Sequence, residues 1–327
     1  MPSTYYVAWW NLDKPVRRGE LAASHREGGP VTADGIAGWT PALRDRKVAQ
    51  LASVIAQMNG GGGPGLLGVC EVEDRFVLDL LAGALAGQPL GRQYGIVHAD
   101  TGDARGIDVA FLHDPGLLEA PADEVFFHVV MRRNATREIV RVNFGTHRGR
   151  AWAVFGNHWP SRSGGAFESS GFRHIAGETL SYFHQRALEV HGEGTPALAM
   201  GDFNDEPFDA SLVLHALSTR QQRRVVEADT PRFWNLMWPP AGIPGRHVLF
   251  QQRAEPARPV PRQREHGTPG QPPSARRRAA WRSSASPEPS TRARTPNRGH
   301  SEAWGKPVDQ NGFSDHFPIG MRVTEAD

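Results

Sequence analysis

The feature that most restricts the fold of this chain is a series of short apolar runs that end in strongly polar residues. The runs "LLGVCEV" at 66–72 and "PALAMGDFN" at 196–204 are bounded by turn residues, and we interpret them as buried β-strands. Further strand candidates are "YYVAWWNL", "YGIVH", "GIDVAFLH", "EVFFHVVM", "EIVRVNF", "AWAVFGNHW" and "HFPIGMRV". Because several of them follow one another without an intervening helix, we expect antiparallel pairing among them.

Helix signals lie between these runs. Thr40 and Pro41 are typical of an N-cap followed by a first-turn proline, and apolar residues then recur at helical spacing up to Met58. Asp74 is expected to cap a second helix, and residues 166–190 and 212–217 to form two more. The pattern predicts a mixed α/β fold with strands in two groups, because the strict strand-helix repeat of a doubly wound sheet is not present.

Composition narrows the class of protein. The chain has 327 residues, of which 39% are hydrophobic, so it can form a sizeable core. Its single cysteine, Cys70, excludes an internal disulfide and a cysteine-based zinc cluster. The N-terminal residues do not resemble a signal peptide, and no apolar run approaches the roughly 20 residues of a membrane helix. We therefore expect a cytoplasmic protein without a membrane span.

The charge is unevenly distributed. Residues 246–304 contain 12 Arg, 4 Glu and neither Lys nor Asp, although the formal net charge of the whole chain is only +2. The remainder of the chain is therefore acidic. Nucleic-acid-binding proteins usually present a basic face, so this remainder argues weakly against tight nucleic-acid binding.

Polar side chains of one kind recur where predicted strands meet loops. The set consists of Asn11, Glu71, His158, Asp202, Asn204, Asp315 and His316. Strand ends at one edge of a sheet converge in space while they remain distant in sequence. Carboxylates, amides and imidazoles that converge in this way suit a hard divalent cation and a phosphate group.

Each of these motifs alone has an ordinary interpretation. Asn11 fits a turn residue, Glu71 a solvated strand end, and His158 a histidine that is satisfied at a sheet edge. The run "GDFNDEP" fits a turn with an N-cap, and "SDH" at 314–316 fits a tight turn. The order and combination of the motifs favour a functional site.

In combination the motifs resemble the endonuclease/exonuclease/phosphatase superfamily, whose members include DNase I-like enzymes. The resemblance rests on "WNLD" at 10–13, "CEVED" at 70–74, "GNHWPS" at 156–161, "GDFNDEP" at 201–207 and "SDHFP" at 314–318. It covers about residues 5–240 and 304–323. It implies an α/β fold, a four-layer sandwich of two packed mixed β-sheets flanked by helices, with residues 1–327 forming a single domain.

The resemblance also implies a divalent metal, Mg²⁺ or Mn²⁺. Glu71 would be the main metal ligand, with Asn11 close to it and Asp315 completing the metal shell. These oxygen ligands agree with the preference of Mg²⁺ for carboxylate and water oxygens.

Four further residues would carry the chemistry by the same resemblance. Asp202 would orient or deprotonate the attacking water, and Asn204 would bind the phosphate. His158 and His316 would flank the phosphoryl group and donate hydrogen bonds or a proton. Whether Asp202 or His316 is the general base stays open at this point.

The activity implied is hydrolysis of a phosphodiester or phosphomonoester by in-line attack of water. The partner is then a phosphate-ester substrate, and DNA, RNA, inositol or lipid phosphates and sugar phosphates all fit the motifs. An alternative is a catalytically impaired relative whose arginine-rich segment binds anionic partners. The segment supplies a reason for this alternative: family members place an aspartate there to orient the histidine of "SDH", and this chain has none from 231 to 308.

The segment at about 245–303 departs in character from the rest of the chain. It is rich in Pro and Arg and poor in Ile, Leu and Val, so we expect it to be disordered and to lack two strands of the family fold. Three explanations compete: a basic linker that recruits anionic partners, an insertion without a specific role, and translation out of frame over a limited stretch of a GC-rich gene.

Overall fold

The computed structural model describes residues 3–13, 40–89, 91–101, 107–131, 136–162, 165–238, 247–252, 281–284, 313–314 and 316–325. The α-helices in these ranges are α1 (Pro41–Gln57), α2 (Arg75–Ala86), α3 (Ser170–His191) and the short α4 (Gln222–Val226). The strands are β1 (Ser3–Asn11), β2 (Leu66–Val72), β3 (Gly95–Val97), β4 (Asp108–His113), β5 (Leu118–Glu119), β6 (Val125–His128), β7 (Ile139–Thr146), β8 (Ala151–His158), β9 (Ala197–Asp202), β10 (Ser218–Thr219), β11 (Phe233–Asn235), β12 (His247–Gln252), β13 (Trp281–Ser284) and β14 (Ile319–Glu325). None of these helices is long and apolar enough to cross a membrane.

The strands form two sheets. Sheet A has the order β13-β14-β1-β2-β4-β3, and sheet B has the order β10-β11-β12-β9-β8-β7-β5, with β6 also paired to β7. Most neighbours are antiparallel, as expected from the run of strands without helices. The pairs β1–β2 and β8–β9 are parallel, so the carboxyl ends of β1 and β2 meet at one edge of sheet A, and those of β8 and β9 meet at one edge of sheet B.

The apolar faces of β1 explain the layering. Tyr5, Val7 and Trp9 point into a core between the two sheets, where they join residues such as Phe144 and Met200. The alternate residues of the strand belong to a second core under α1 and α2, and a third core lies between sheet B and α3. A strand that is buried on both faces reads as a continuous apolar run. The result is the predicted four-layer sandwich of two packed mixed sheets flanked by helices.

The helix starts follow from their capping residues. The Thr40 hydroxyl accepts a hydrogen bond from the Leu43 N–H at 3.2 Å, and the Asp74 carboxylate accepts one from the Val77 N–H at 3.0 Å. Both N-caps agree with the sequence prediction. The third helix begins at Ser170, after a turn, and the expected helix at 212–217 is a π-helical turn at Ser211–His215.

The expectation of no strands within 245–303 is wrong for two short stretches. Residues 247–252 pair with β9 and residues 281–284 pair with β14, both antiparallel. Strand pairing uses the backbone C=O group, which every residue supplies, and the N–H group, which only proline lacks, so it does not require an alternating apolar pattern. The other residues of this segment lie outside the described residues, and its disorder and its origin remain predictions.

Candidate active site

The site lies where the carboxyl ends of β1 and β2 face those of β8 and β9 across the two sheets. In sheet A, Asn11 is in register with Cys70, the neighbour of Glu71; in sheet B, His158 is in register with Asp202. Two contacts join the sheets: the Asn11 amide nitrogen lies 3.4 Å from the Asp202 carboxylate, and His158 Nε2 lies 3.6 Å from Glu71 Oε1. Four residues that are distant in sequence thus share one small volume.

Asn11 is fully buried at the centre of this group. Its Oδ1 accepts a hydrogen bond from the Asp13 N–H at 3.0 Å, so its amide nitrogen faces the two carboxylates. That nitrogen donates to Glu71 Oε1 at 3.2 Å and to Asp202 Oδ2 at 3.4 Å. Asn11 therefore holds two carboxylates side by side, and it would have to turn its amide to offer an oxygen to a metal ion.

Glu71 occupies an unusual backbone conformation. The register between β2 and β4 shifts between Cys70 and Val72, which makes Glu71 the residue of a β-bulge. Its φ angle of 59° is in the left-handed region that residues other than glycine rarely adopt. Such strain costs on the order of 1–3 kcal/mol and concentrates at functional sites. The bulge places a partly exposed carboxylate at the mouth of the site.

Asp202 ends β9 and is buried, with 2% of its surface exposed. Burial raises the pKa of its carboxyl group above the ordinary value, and the nearby His316 opposes this shift. The Asn204 N–H donates to Asp202 Oδ1 at 3.1 Å, from a backbone with a φ of 52°. A Cβ on Gly201 would lie 2.3 Å from the Asn157 carbonyl oxygen, so only glycine lets β9 approach β8 here.

His316 reaches the site from the segment before β14. Its Nε2 lies 3.4 Å from Asp202 Oδ2, which brings the second histidine to the buried carboxylate. The backbone around it is held by the Trp10 indole, which donates to the His316 carbonyl at 2.8 Å, and by the Ser314 hydroxyl, which accepts from the His316 N–H at 3.1 Å. The Ser314 hydroxyl in turn donates to the Asn11 carbonyl at 2.7 Å. Asp315 lies outside the described residues, so its role as a metal ligand remains a prediction.

The structure also separates the crowded carboxylates of "GDFNDEP". Asp205 is buried and bound by Arg162, by Arg173 and by the Ser211 hydroxyl, at 2.7, 2.7 and 2.5 Å. It therefore anchors the loop to α3 instead of facing the site. Asn204, whose amide donates to the Trp159 carbonyl at 3.0 Å, stays beside Asp202.

Arg137 is a member of the site that sequence reasoning missed. It is buried, and its guanidinium donates to the carbonyl groups of His158 and Trp159 at 3.2 and 2.7 Å. Its positive charge also opposes the rise of the Asp202 pKa. The sequence around it, "NATREIV", carries no metal or catalytic spacing, so only the pairing of β7 with β8 reveals its position.

A second group of ligand-type side chains lies near the end of β2. The ligand atoms of His98, Asp100 and Asp108 all lie within 4.8 Å of one another. Asp108 is fully buried, however, and its oxygens already accept hydrogen bonds from the Thr101 backbone and hydroxyl and contact His98 Nε2 at 3.3 Å. These bonds favour a structural role in fastening residues 98–101 to β4.

Comparison with known proteins identifies the family. The sequence profile described as "Endonuclease/Exonuclease/phosphatase family" matches residues 23–242, about two thirds of the chain. The chain belongs to the endonuclease/exonuclease/phosphatase family. Comparison with curated proteins gave no match.

Solved structures of the endonuclease/exonuclease/phosphatase fold cover this chain almost completely. A family protein from Bacteroides thetaiotaomicron is 14% identical, with 100% of both chains covered and a TM-score of 0.52. The catalytic domain of human Nocturnin with a bound sulfate anion is 14% identical, with 99% of this chain and 98% of that chain covered and a TM-score of 0.51. TDP2 from C. elegans is 13% identical, with 99% and 75% covered and a TM-score of 0.51. At these identities the likeness establishes the fold.

Proposed function

We propose that this chain is a divalent-metal-dependent phosphoesterase that cleaves a phosphoester bond by in-line attack of water. The observation that carries the proposal is the convergence of Asn11, Glu71, His158, Asp202 and His316 at one edge of the two sheets. A chain that used these residues only as turns and caps would have no reason to gather two carboxylates and two imidazoles together, with Asp202 and His158 buried. The family name, which covers endonucleases, exonucleases and phosphatases, supports the same class of reaction.

The donor set fits Mg²⁺ or Mn²⁺. Glu71 and Asp202 offer hard carboxylate oxygens within two hydrogen-bond lengths of each other, across the Asn11 amide. Burial opposes the charged form of Asp202, and a nearby cation would favour it. Glu71 and Asp202, with Asn11 and Asp315, would hold the ion, which would neutralise negative charge on the phosphoryl oxygens.

The proton chemistry is assigned to the pair formed by Asp202 and His316. Their side chains lie 3.4 Å apart, so the carboxylate orients the imidazole and stabilises its charged form. His316 is then the group that exchanges a proton with water, because Asp202 is buried behind it. This pairing supports the active-enzyme hypothesis over the catalytically impaired alternative, since the imidazole has a carboxylate partner although residues 231–308 contain no aspartate.

His158 and Asn204 are the proposed phosphate-binding groups. His158 Nε2 lies 3.6 Å from the Glu71 carboxylate, which places an imidazole nitrogen beside the proposed metal ligand and within reach of a phosphoryl oxygen bound there. Arg137 holds the backbone of His158 in place through its carbonyl group. Asn204 itself has a left-handed backbone conformation, which fixes the direction of its amide.

A panel of phosphoesters tests the proposal. Bis(p-nitrophenyl) phosphate, p-nitrophenyl phosphate and a DNA oligonucleotide are incubated with the full chain and Mg²⁺, Mn²⁺ or EDTA. We expect hydrolysis that EDTA abolishes and that His316→Ala lowers by on the order of 100- to 1000-fold. Hydrolysis that survives both Asp202→Ala and His316→Ala would rule out this mechanism.

A further inference from the structure

A cavity of about 510 Å³ opens beside the short strands β10 and β11 at the end of sheet B. Val213 and Leu214 form its apolar side, and Arg220, Arg224, Arg232 and Trp238 form much of the remaining wall. We name it the Arg–Trp pocket after these last four residues. Its volume is typical of a small-molecule site. None of the described residues that line it is acidic.

The three arginines of the pocket are not held in ion pairs within the described part of the chain. Arg220, Arg224 and Arg232 form no ion pair with any described carboxylate, and Arg220 and Arg224 are exposed. The neighbouring Arg223, by contrast, bonds Glu227 at 2.7 Å. Arg224 and Arg232 also line a neighbouring cavity together with Glu227 and Asp229, so the walls of the pocket are positive although carboxylates lie beside it. Such a cavity attracts an anionic ligand.

The pocket adjoins the active-site loop. β9 and β11 are both antiparallel to β12, so they run in the same direction and end at the same edge of sheet B. Trp238, shortly after β11, contacts Phe208 edge-to-face at 6.2 Å. Phe208 lies four residues after Asn204, and the Asn235 amide donates to the Pro207 carbonyl at 3.2 Å. The Trp238 side of the pocket is therefore in contact with the loop that follows Asn204.

We propose that the Arg–Trp pocket binds one nucleotide, with its phosphate among the three guanidinium groups and its base against the Trp238 ring. Arg220 lies 5.7 Å over the centroid of that ring, so the pocket presents a cation and an aromatic surface together. The inference rests on the proposed function, because it names a nucleic-acid substrate for the phosphoesterase site. It assigns a specificity role to residues outside that site.

The chemistry of the pocket selects a nucleotide over a bare phosphate. Guanidinium groups bind phosphate oxygens as bidentate donors, and an aromatic side chain stacks on any base. A base inside a duplex is already stacked, so a pocket of this kind takes an unpaired nucleotide. A single-stranded segment and a free mononucleotide both carry this combination, and the two sources are separated in the experiment.

The test measures binding in EDTA, where hydrolysis does not interfere. The probe is a fluorescein-labelled eight-nucleotide oligothymidylate, followed by anisotropy, with thymidine monophosphate and inorganic phosphate as competitors. The full chain is compared with Trp238→Ala, Trp238→Phe and Arg224→Ala. Arg186→Ala is the matched control, because Arg186 is a half-exposed arginine near the far end of α3. Melting temperatures establish that each variant folds.

We expect Trp238→Ala to weaken oligothymidylate binding by about 5- to 100-fold, with recovery in Trp238→Phe. Arg224→Ala is expected to weaken binding and to reduce the salt slope of log K by about 0.7, whereas Arg186→Ala changes neither. If thymidine monophosphate displaces the probe from the wild type, the pocket accepts a free nucleotide. If it does not displace the probe, the pocket binds only a nucleotide within a strand.

Several results would overturn the pocket. One is that folded Trp238→Ala and Arg224→Ala bind oligothymidylate as tightly as the wild type, or that Arg186→Ala weakens binding as much as they do. Another is that inorganic phosphate competes as strongly as thymidine monophosphate. A third is that the wild type binds neither oligothymidylate nor thymidine monophosphate. Because binding is measured without metal, its failure is distinct from failure of the proposed function. If the wild type hydrolyses bis(p-nitrophenyl) phosphate and Trp238→Ala does not change oligothymidylate binding, the proposed function stands and the nucleotide pocket is refuted.

Discussion

Replacement of Asp202 by Asn separates catalysis from folding at the centre of the site. The amide keeps an oxygen for the Asn204 N–H but loses the acceptor that faces Asn11 and His316. Two lost hydrogen bonds cost about 1–3 kcal/mol in total. Removal of a buried charge returns an amount of the same order, since burial disfavours the ionised carboxylate. We therefore expect a free energy of unfolding within about 1 kcal/mol of the wild type.

Activity is expected to respond very differently. Without the carboxylate, His316 loses its partner and the proposed metal site loses one of its ligands, so kcat should fall on the order of 100- to 1000-fold, or about 3–4 kcal/mol in the transition state. The assay is bis(p-nitrophenyl) phosphate hydrolysis in Mg²⁺, with urea unfolding measured in parallel. More than a tenth of the wild-type rate would refute the assignment of Asp202.

Asp205→Asn is the matched control for this change. It makes the same substitution three residues away, on a buried carboxylate that bonds Arg162 and Arg173. Breaking a buried ion pair from one side leaves a charge without its partner and costs about 3–5 kcal/mol. We expect this variant to lose stability while the part that remains folded keeps its activity. The opposite pattern in the two variants would contradict the separation of roles.

The pH dependence of Asp202→Asn follows from the direction of the pKa shift. The raised pKa means that the folded wild type binds this proton more tightly than the unfolded chain does, so its free energy of unfolding falls as the pH rises from 3.8 through the folded pKa. The amide does not titrate. In EDTA, the free energy of unfolding of the variant relative to that of the wild type should therefore increase with pH. A decrease with pH would show that the pKa of Asp202 is not raised in the folded protein.

Three further predictions concern sheet B and the residues that adjoin it. Burial lowers the pKa of His128 from 6.5 to about 3, so below pH 6.5 the wild type should lose up to about 3 kcal/mol by pH 4 relative to His128→Phe, measured by acid-dependent urea unfolding. Gly201→Ala drives a Cβ toward the Asn157 carbonyl and should lower the melting temperature by several degrees; an unchanged value would contradict the close approach. Arg137→Met removes the guanidinium bonds to the His158 and Trp159 carbonyl groups, of which the second keeps the Asn204 amide as a donor, and should lower both stability and kcat, with KM for the substrate nearly unchanged.

The sequence was sufficient to predict the residues that meet, because the ends of buried strands are visible in it. "CEV" and "GDFN" each break an apolar run with a carboxylate, and the parallel pairs β1–β2 and β8–β9 bring those breaks to one edge. The four-layer fold followed from the family resemblance, not from periodicity. A strand such as β1, buried on both faces, shows no alternation that would give its layer.

Other features depend on long-range contacts that the sequence does not encode locally. Asp202 and Asp205 stand in the same polar run, and only the packing of Arg173 on α3 against the loop makes one of them structural. The bulge at Glu71 depends on the register of β4, and the direction of the Asn11 amide depends on the backbone of Asp13. The strand at 247–252 was missed because its pairing with β9 is made by the backbone.

The most direct test of the account is the metal dependence of hydrolysis in the wild type and in Glu71→Gln, with the exposed Glu189→Gln as a control of equal charge change. Bis(p-nitrophenyl) phosphate hydrolysis is followed while Mg²⁺ is added back to EDTA-treated protein. We predict that wild type and Glu189→Gln recover together, and that Glu71→Gln needs at least about tenfold more Mg²⁺ for half of its activity. A wild-type rate that EDTA leaves unchanged, or superimposable Mg²⁺ curves for all three proteins, would contradict it.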